Sequence, residues 1–294
     1  MRIGPFPRFA STVALAAALT LSPVMAAAEG PVLGTGTYYD RAFVLAAHQK
    51  CRLFAAPVAG ALSAATLQAH GAALRAGTAE ATLRETAGRA RARAAAVSCA
   101  NRELTVVRDR VANAFDGWAR TPRMTFPGTH AAWSADRLRR EDAGWQLMQA
   151  SVTGASPVTF GVSANPQGAQ TLSAVVSFVG RPRPYAARIV MRDPSLSPRP
   201  WLTAGGTAVL PPESQRRTVW SAGTDTAEPT LLSEGRTQGE VWRFPDAGAE
   251  SLAALDPREP FLIQFLFRDG SIATARFEAG DFAAARAFVA LGTI

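Results

Sequence analysis

The amino-acid sequence predicts an α+β protein: an N-terminal disulfide-stapled three-helix bundle followed by an antiparallel β-sandwich-like domain with a C-terminal helix. Three observations predict it. Small or apolar residues recur with 4-3-4-3 spacing from Thr78 to Trp118, at Leu83, Ala87, Ala90, Ala94, Val97, Leu104, Val111, Phe115 and Trp118, the seam of a helix packed on partner helices. From Gln146 the pattern changes to short β-prone runs punctuated by Gly, Pro, Ser and Asn. Both cysteines, Cys51 and Cys99, fall in the helical part. The expected organisation is a signal peptide over 1–28, a helical domain over 29–120, a connector over 121–144 and a β-rich domain over 145–294.

The leader comes first. Arg2 and Arg8 form a positive n-region, Phe9–Leu21 is apolar, and Ala26-Ala27-Ala28 offers a small-residue cleavage site, with Glu29 as the first mature residue. The apolar run is short for a membrane span of ~20 residues, and no later stretch is long and apolar enough to span a bilayer. The mature chain is expected to be periplasmic or secreted, with no transmembrane segment after cleavage. The formal net charge of +8 becomes +6 without the leader. Twelve arginines and six acids lie between Glu80 and Arg140, so the surplus is local. Lys50 is the only lysine.

Tyr38–Phe54 reads as the first helix, ended by Pro57 and Gly60. Leu62–Ala76 reads as the second, stopped by Gly77. Thr78 can cap a third helix reaching Trp118, ~60 Å long if continuous at 1.5 Å per residue. In an exported chain the default for Cys51 and Cys99 is one disulfide. Closing a loop of about 49 residues is worth on the order of 4 kcal/mol. The rival reading joins them with His48 and His70 around zinc, but the spacing matches no familiar motif and oxidation would remove the thiolates. No metal and no cofactor is therefore expected.

Pro122, Pro127 and Gly128 mark turns in the connector, with a short helix expected over Ala131–Asp142. Strands are expected at Gln146–Val152, Val158–Ser163, Thr171–Val179, Tyr185–Arg192, Thr207–Leu210, Thr218–Ser221 and Glu240–Phe244. The prolines from Pro194 to Pro212 make the middle a long excursion that suits no central strand. Asp246–Leu255 reads as a helix. Phe261–Phe267 and Ile272–Phe277, joined by Arg268-Asp269-Gly270-Ser271, give the strongest hairpin signal. Asp281 is the expected N-cap of a closing helix that buries Phe282, Ala285, Phe288 and Val289.

Leu252–Leu255, Phe261–Phe267 and Gly280-Asp281-Phe282 through Leu291, with Trp145 and Trp201, give the C-terminal half a resemblance to periplasmic proteins of the invasion-associated locus B type. The resemblance implies a non-catalytic envelope protein and transfers no catalytic residue. That family's paired cysteines are missing here, and the helical half has no counterpart in it.

No residue pattern assigns a catalytic role. Ser134, His130 and Asp136 lie within seven residues, but triads converge from separate elements and no G-x-S-x-G elbow occurs. The leading expectation is an exported, non-catalytic interaction or binding module of the envelope. Arg84, Arg89, Arg91 and Arg93 are its candidate docking residues for an envelope protein or an anionic lipid surface. The bland reading of such arginines is a solvated helix face. The alternative function is an envelope hydrolase or other enzyme, for which Asp40, Asp136, Glu240 and Asp256 are available. Nucleic acid is not expected as a partner, because the basic segment lacks interleaved aromatics.

Overall fold

The computed structural model of the chain describes residues 35–203 and 207–294. The expected leader, residues 1–28, lies outside these described residues, as does most of the glycine-rich lead-in. The described part is α+β, with helices first, then antiparallel sheets and a closing helix.

Helix α1 (Thr35–Cys51) is followed by α2 (Ala56–Arg75), which starts before the expected Leu62 and holds Pro57 in its first turn and Gly60 within it. Proline fits the first turn, where its missing N–H has no partner to lose. Gly77, at φ +90°, closes α2: its N–H donates to Leu74 O and that of Thr78 to Ala73 O. The expected third helix is two, α3 (Glu80–Ala96) and α4 (Arg102–Ala119), so the bundle has four helices among the described residues. The seam spacing continues across the break, but the local chemistry overrides it. Val97 turns to extended backbone, and Asn101 Oδ1 accepts the Glu103 N–H at 2.8 Å to cap α4. Thr78 does not cap α3; the position is held by Ala79 with no side-chain bond.

The Cys51–Cys99 disulfide ties the end of α1 to this break, with a Cα–Cα distance of 5.5 Å. Beside it, Lys50 Nζ donates to Ala95 O and Val97 O, both at 2.7 Å. A cation thus meets the orphan carbonyls at the negative end of α3.

The connector carries two strands, β1 (Arg123–Phe126) and, within the stretch expected to be helical, β2 (Trp133–Asp136). Trp133 and Ala135 are buried while Ser134 is exposed, the period-two alternation of a strand. They open a seven-stranded antiparallel sheet that continues with β3 (Gly144–Thr153), β4 (Ser156–Ala164) and β5 (Gln170–Val176), then β9 (Glu240–Phe244) and β8 (Gly223–Thr226). The second sheet orders β11 (Ile272–Glu278), β10 (Pro260–Leu266), β6 (Ala186–Arg192) and β7 (Arg216–Trp220). Thr207–Leu210 forms no strand; only an isolated bridge joins Leu202 and Ala208.

Between the sheets lies an aromatic core. Trp133 packs on Phe160, Phe261 and Phe282, with ring centroids 4.9–6.5 Å apart. Two side chains of β3 stitch the sheets at the β11 edge. Gln149 Oε1 accepts the Glu278 N–H at 2.9 Å, and Ser151 Oγ donates to Arg276 O at 2.6 Å. A side-chain partner for exposed edge groups blunts a free edge.

Helix α5 (Asp246–Ala253) and helix α6 (Phe282–Val289) complete the fold, and α6 buries Phe282, Ala285, Phe288 and Val289 as expected. Asp281 occupies the N-cap position of α6 but makes no side-chain cap. Its carboxylate is turned onto Arg75 of α2, with Nη2–Oδ2 at 2.9 Å and a second bond from Nη1 to Oδ1. The contact needs close helices, and Gly60, Ala64 and Gly71 on one side of α2 provide the approach. A Cβ on Gly71 would lie 2.1 Å from Asp281 Oδ1. Trp118, at the end of α4, meets Phe288 edge-on at 5.5 Å. The helices and the sandwich are therefore packed through α6.

Candidate functional site

The buried stripe of α3 is Leu83, Thr86, Ala87, Ala90 and Ala94. Its remaining surface carries the four predicted docking residues, and Arg84, Arg89, Arg91 and Arg93 are all exposed. Helical geometry places Arg84 and Arg91 on one flank and Arg89 and Arg93 on the other. Gly88, Ala92 and Ala95 separate them with little side-chain bulk. Among the described residues none of the four arginines enters a salt bridge; Arg89 only reaches Thr86 Oγ1 at 3.0 Å. The β-rich part treats many of its arginines differently. Arg192 is fully enclosed with Glu259, at 2.5 and 2.7 Å, and also donates to Ser197 O, which ties down the proline-rich excursion. Arg183, Arg217, Arg243 and Arg258 pair with Glu240, Asp193, Asp225 and Asp256. Ser195 and Arg217 hold the Asp193 carboxyl down at about 2.

A second feature is a groove of about 660 Å³ on the outer face of the seven-stranded sheet. Its floor is built by outward positions of successive strands: Thr125, Ser134, Met148 and Ala150. Its wall includes the half-buried Trp145, whose indole N–H donates to Leu231 O at 3.0 Å, and the neighbouring Leu232 and Ser233. Asp136 lies in the same groove. Its Oδ2 accepts from Arg140 at 2.9 Å and Arg123 at 3.1 Å, and its Oδ1 accepts the Leu138 N–H at 2.9 Å. Burial pushes this carboxyl up, but these donors outweigh it and hold it below the ordinary aspartate value.

The carboxylates named for an enzyme are dispersed. Asp136 is held between two arginines, Asp256 by Arg258 and Glu240 by Arg183, while Asp40 lines a separate groove between α1 and α4. Burial raises the Glu240 carboxyl above its ordinary value against the pull of Arg183. His130 does not meet Ser134 and Asp136. It sits on the β1–β2 loop with Nδ1 against Glu278 Oε1 at 2.5 Å. Glu278 Oε2 also accepts the backbone N–H groups of Thr129, His130 and Ala131, at 2.9, 2.8 and 3.2 Å. Burial works against the charge, but the His130 and Ala131 bonds hold the carboxyl below its usual range. Gly128 makes this cradle possible, since a Cβ there would lie 2.2 Å from Ala131 O. The arrangement folds a loop around an anion supplied by the chain itself.

Cys51 and Cys99 are joined to each other, and His48 Nδ1 accepts the Phe54 N–H at 3.1 Å while His70 faces Glu80 at 3.0 Å. Among the described residues no group of three His, Cys, Asp or Glu side chains is placed to hold a metal ion, and no helix is long and apolar enough to cross a membrane. Sequence reasoning missed the groove and the Glu278 cradle. The alternation Trp133-Ser134-Ala135-Asp136 was the available signal for the first. Nothing local announces the second, whose partners are separated by more than 140 residues. No protein-family model, curated protein or solved structure matches the chain.

Proposed function

We propose that this chain is exported and acts in the bacterial periplasm as a non-catalytic interaction module, docking an anionic envelope surface through the exposed face of α3. The observation that carries the reading is the set Arg84, Arg89, Arg91 and Arg93: four exposed guanidinium groups without a carboxylate partner among the described residues, on a helix that cannot swing freely. The disulfide and Lys50 fix one end of α3, and its alanine stripe fixes the side. Such a surface attracts anionic lipid with about 1 kcal/mol per basic residue near the membrane. The disulfide fits an oxidising compartment. The resemblance of the C-terminal half to invasion-associated locus B proteins supports the exported, non-catalytic part of this reading.

The test is co-sedimentation of the oxidised mature chain with phosphatidylglycerol-containing vesicles and with neutral vesicles. Binding to the anionic vesicles is expected to fall with salt and to vanish in the R84E/R89E/R91E/R93E variant with an unchanged melting temperature. Equal sedimentation of the variant, or equal binding to neutral vesicles, refutes the docking face. Export is tested separately: alkaline phosphatase fused after Ala28 is active only when it is carried out of the cytoplasm.

A further inference from the structure

We propose that the groove on the outer face of the seven-stranded sheet is a binding site for an uncharged oligosaccharide. The site is distinct from the arginine face of α3, and the inference stands without it.

Most of the floor offers no free backbone groups. Strand β2 is paired with β1 and β3, β3 with β2 and β4, and β4 with β3 and β5. Their backbone N–H and C=O groups are committed to the ladder; beside the groove an unpaired strand edge remains only on the outer side of β1, so over β2, β3 and β4 a ligand meets side chains. Recognition there falls to side chains.

Those side chains are rich in hydroxyl groups and N–H donors. Thr125 and Ser134 are exposed, and their hydroxyl groups make no hydrogen bond among the described residues. Thr159 and Ser233 add a hydroxyl pair at 3.4 Å where the floor meets the wall. Arg123 uses only Nε, and Arg140 only Nη2, to hold Asp136. Their other N–H groups stay available as donors to a ligand. The formal charges of the lining cancel: Arg123 and Arg140 against Asp136 and Glu234. An anionic ligand therefore gains no net attraction, while a ligand with many neutral hydroxyl groups finds donors and acceptors in alternation.

An apolar wall adjoins this polar floor. Trp145 is anchored through its indole N–H to Leu231 O, which fixes the orientation of the ring. Met148 and Ala150 lie beside it on β3. A pyranose ring presents hydroxyl groups at its rim and C–H groups on its faces, and it suits an aromatic wall joined to a polar floor. The volume, about 660 Å³, lies within the range of small-ligand sites.

The experiment is isothermal titration calorimetry of the full mature chain with cellotetraose, chitotetraose and maltotetraose. Saturable binding of at least one is expected. Ala150 is exposed, so A150W fills the groove without entering the core; it is expected to weaken that binding by about tenfold or more. S134A removes one hydroxyl and is expected to weaken it by about fivefold, the usual loss for one hydrogen bond. Both variants are checked for an unchanged melting temperature. R84E/R89E/R91E/R93E is expected to bind the saccharide as the parent does, which separates this site from the docking face. Absence of binding for all three tetrasaccharides, or undiminished binding by a folded A150W chain, overturns the proposal.

Discussion

Two glycines in the helical part give opposite predictions for the same substitution. Gly71→Ala places a methyl group 2.1 Å from Asp281 Oδ1 and 3.3 Å from Arg75 Nη1. These are the two halves of the ion pair that joins α2 to α6, and the Asp281 side chain is only 1% exposed. Forcing a methyl group into packed surroundings costs about 1–3 kcal/mol. Displacing one partner of a buried pair costs about 3–5 kcal/mol when complete; Arg75 keeps some access to water, so about half of that is expected. Better helix propensity returns about 1 kcal/mol. The net loss is about 3 kcal/mol, or roughly 6–12 °C in melting temperature for a chain of this size. Gly88→Ala meets nothing within 4 Å. It receives only the propensity gain, up to about 1 kcal/mol and roughly 2–4 °C. Thermal unfolding followed by circular dichroism reads both. A third variant locates the cause: in an Asp281→Ala background, Gly71→Ala is expected to lose most of its cost, because the atom it strikes is gone. If Gly71→Ala stabilises as Gly88→Ala does, or costs the same with Asp281 removed, the account of the α2–α6 contact is wrong.

Two further predictions follow from the staple and the loop cradle. Replacing both cysteines by alanine is expected to destabilise the chain by about 4 kcal/mol, the entropy of closing a loop between residues 48 apart; urea titrations of the oxidised parent and the C51A/C99A variant measure it, and coincident midpoints would contradict it. Glu278 has a folded-state pKa below its unfolded value, so its contribution to stability is complete above the ordinary glutamate pKa and is lost as pH falls through the folded value. Melting temperatures taken downward through the carboxylate range are expected to fall less steeply in E278Q than in the parent, and parallel curves would remove Glu278 as the source.

The contrast between Asp281 and Asn101 shows where sequence reasoning stops. Both are residue types favoured at helix N-caps. Asn101 caps α4 because its N–H partner is two residues away, whatever the rest of the chain does. Asp281 stands in the same relation to α6, but Arg75, more than 200 residues earlier, takes its carboxylate. A local rule holds until a charged side chain from elsewhere offers a stronger bond.

The same division runs through the whole molecule. Amino-acid order alone determined the class, the pairing of Cys51 with Cys99, the closing hairpin around Asp269-Gly270 and the buried face of α6, because period, turn chemistry and an even cysteine count act over short range or leave one choice. It also marked the arginines of α3, since clustering is visible without geometry. Tertiary structure decided the rest. It made strands of the connector because Phe126 and Trp133 bury into a sandwich core. It assembled the outer groove from four strands and a returning loop. Each of these outcomes depends on which distant residues share a surface, and that information is carried by packing and not by the spacing of residues along the chain.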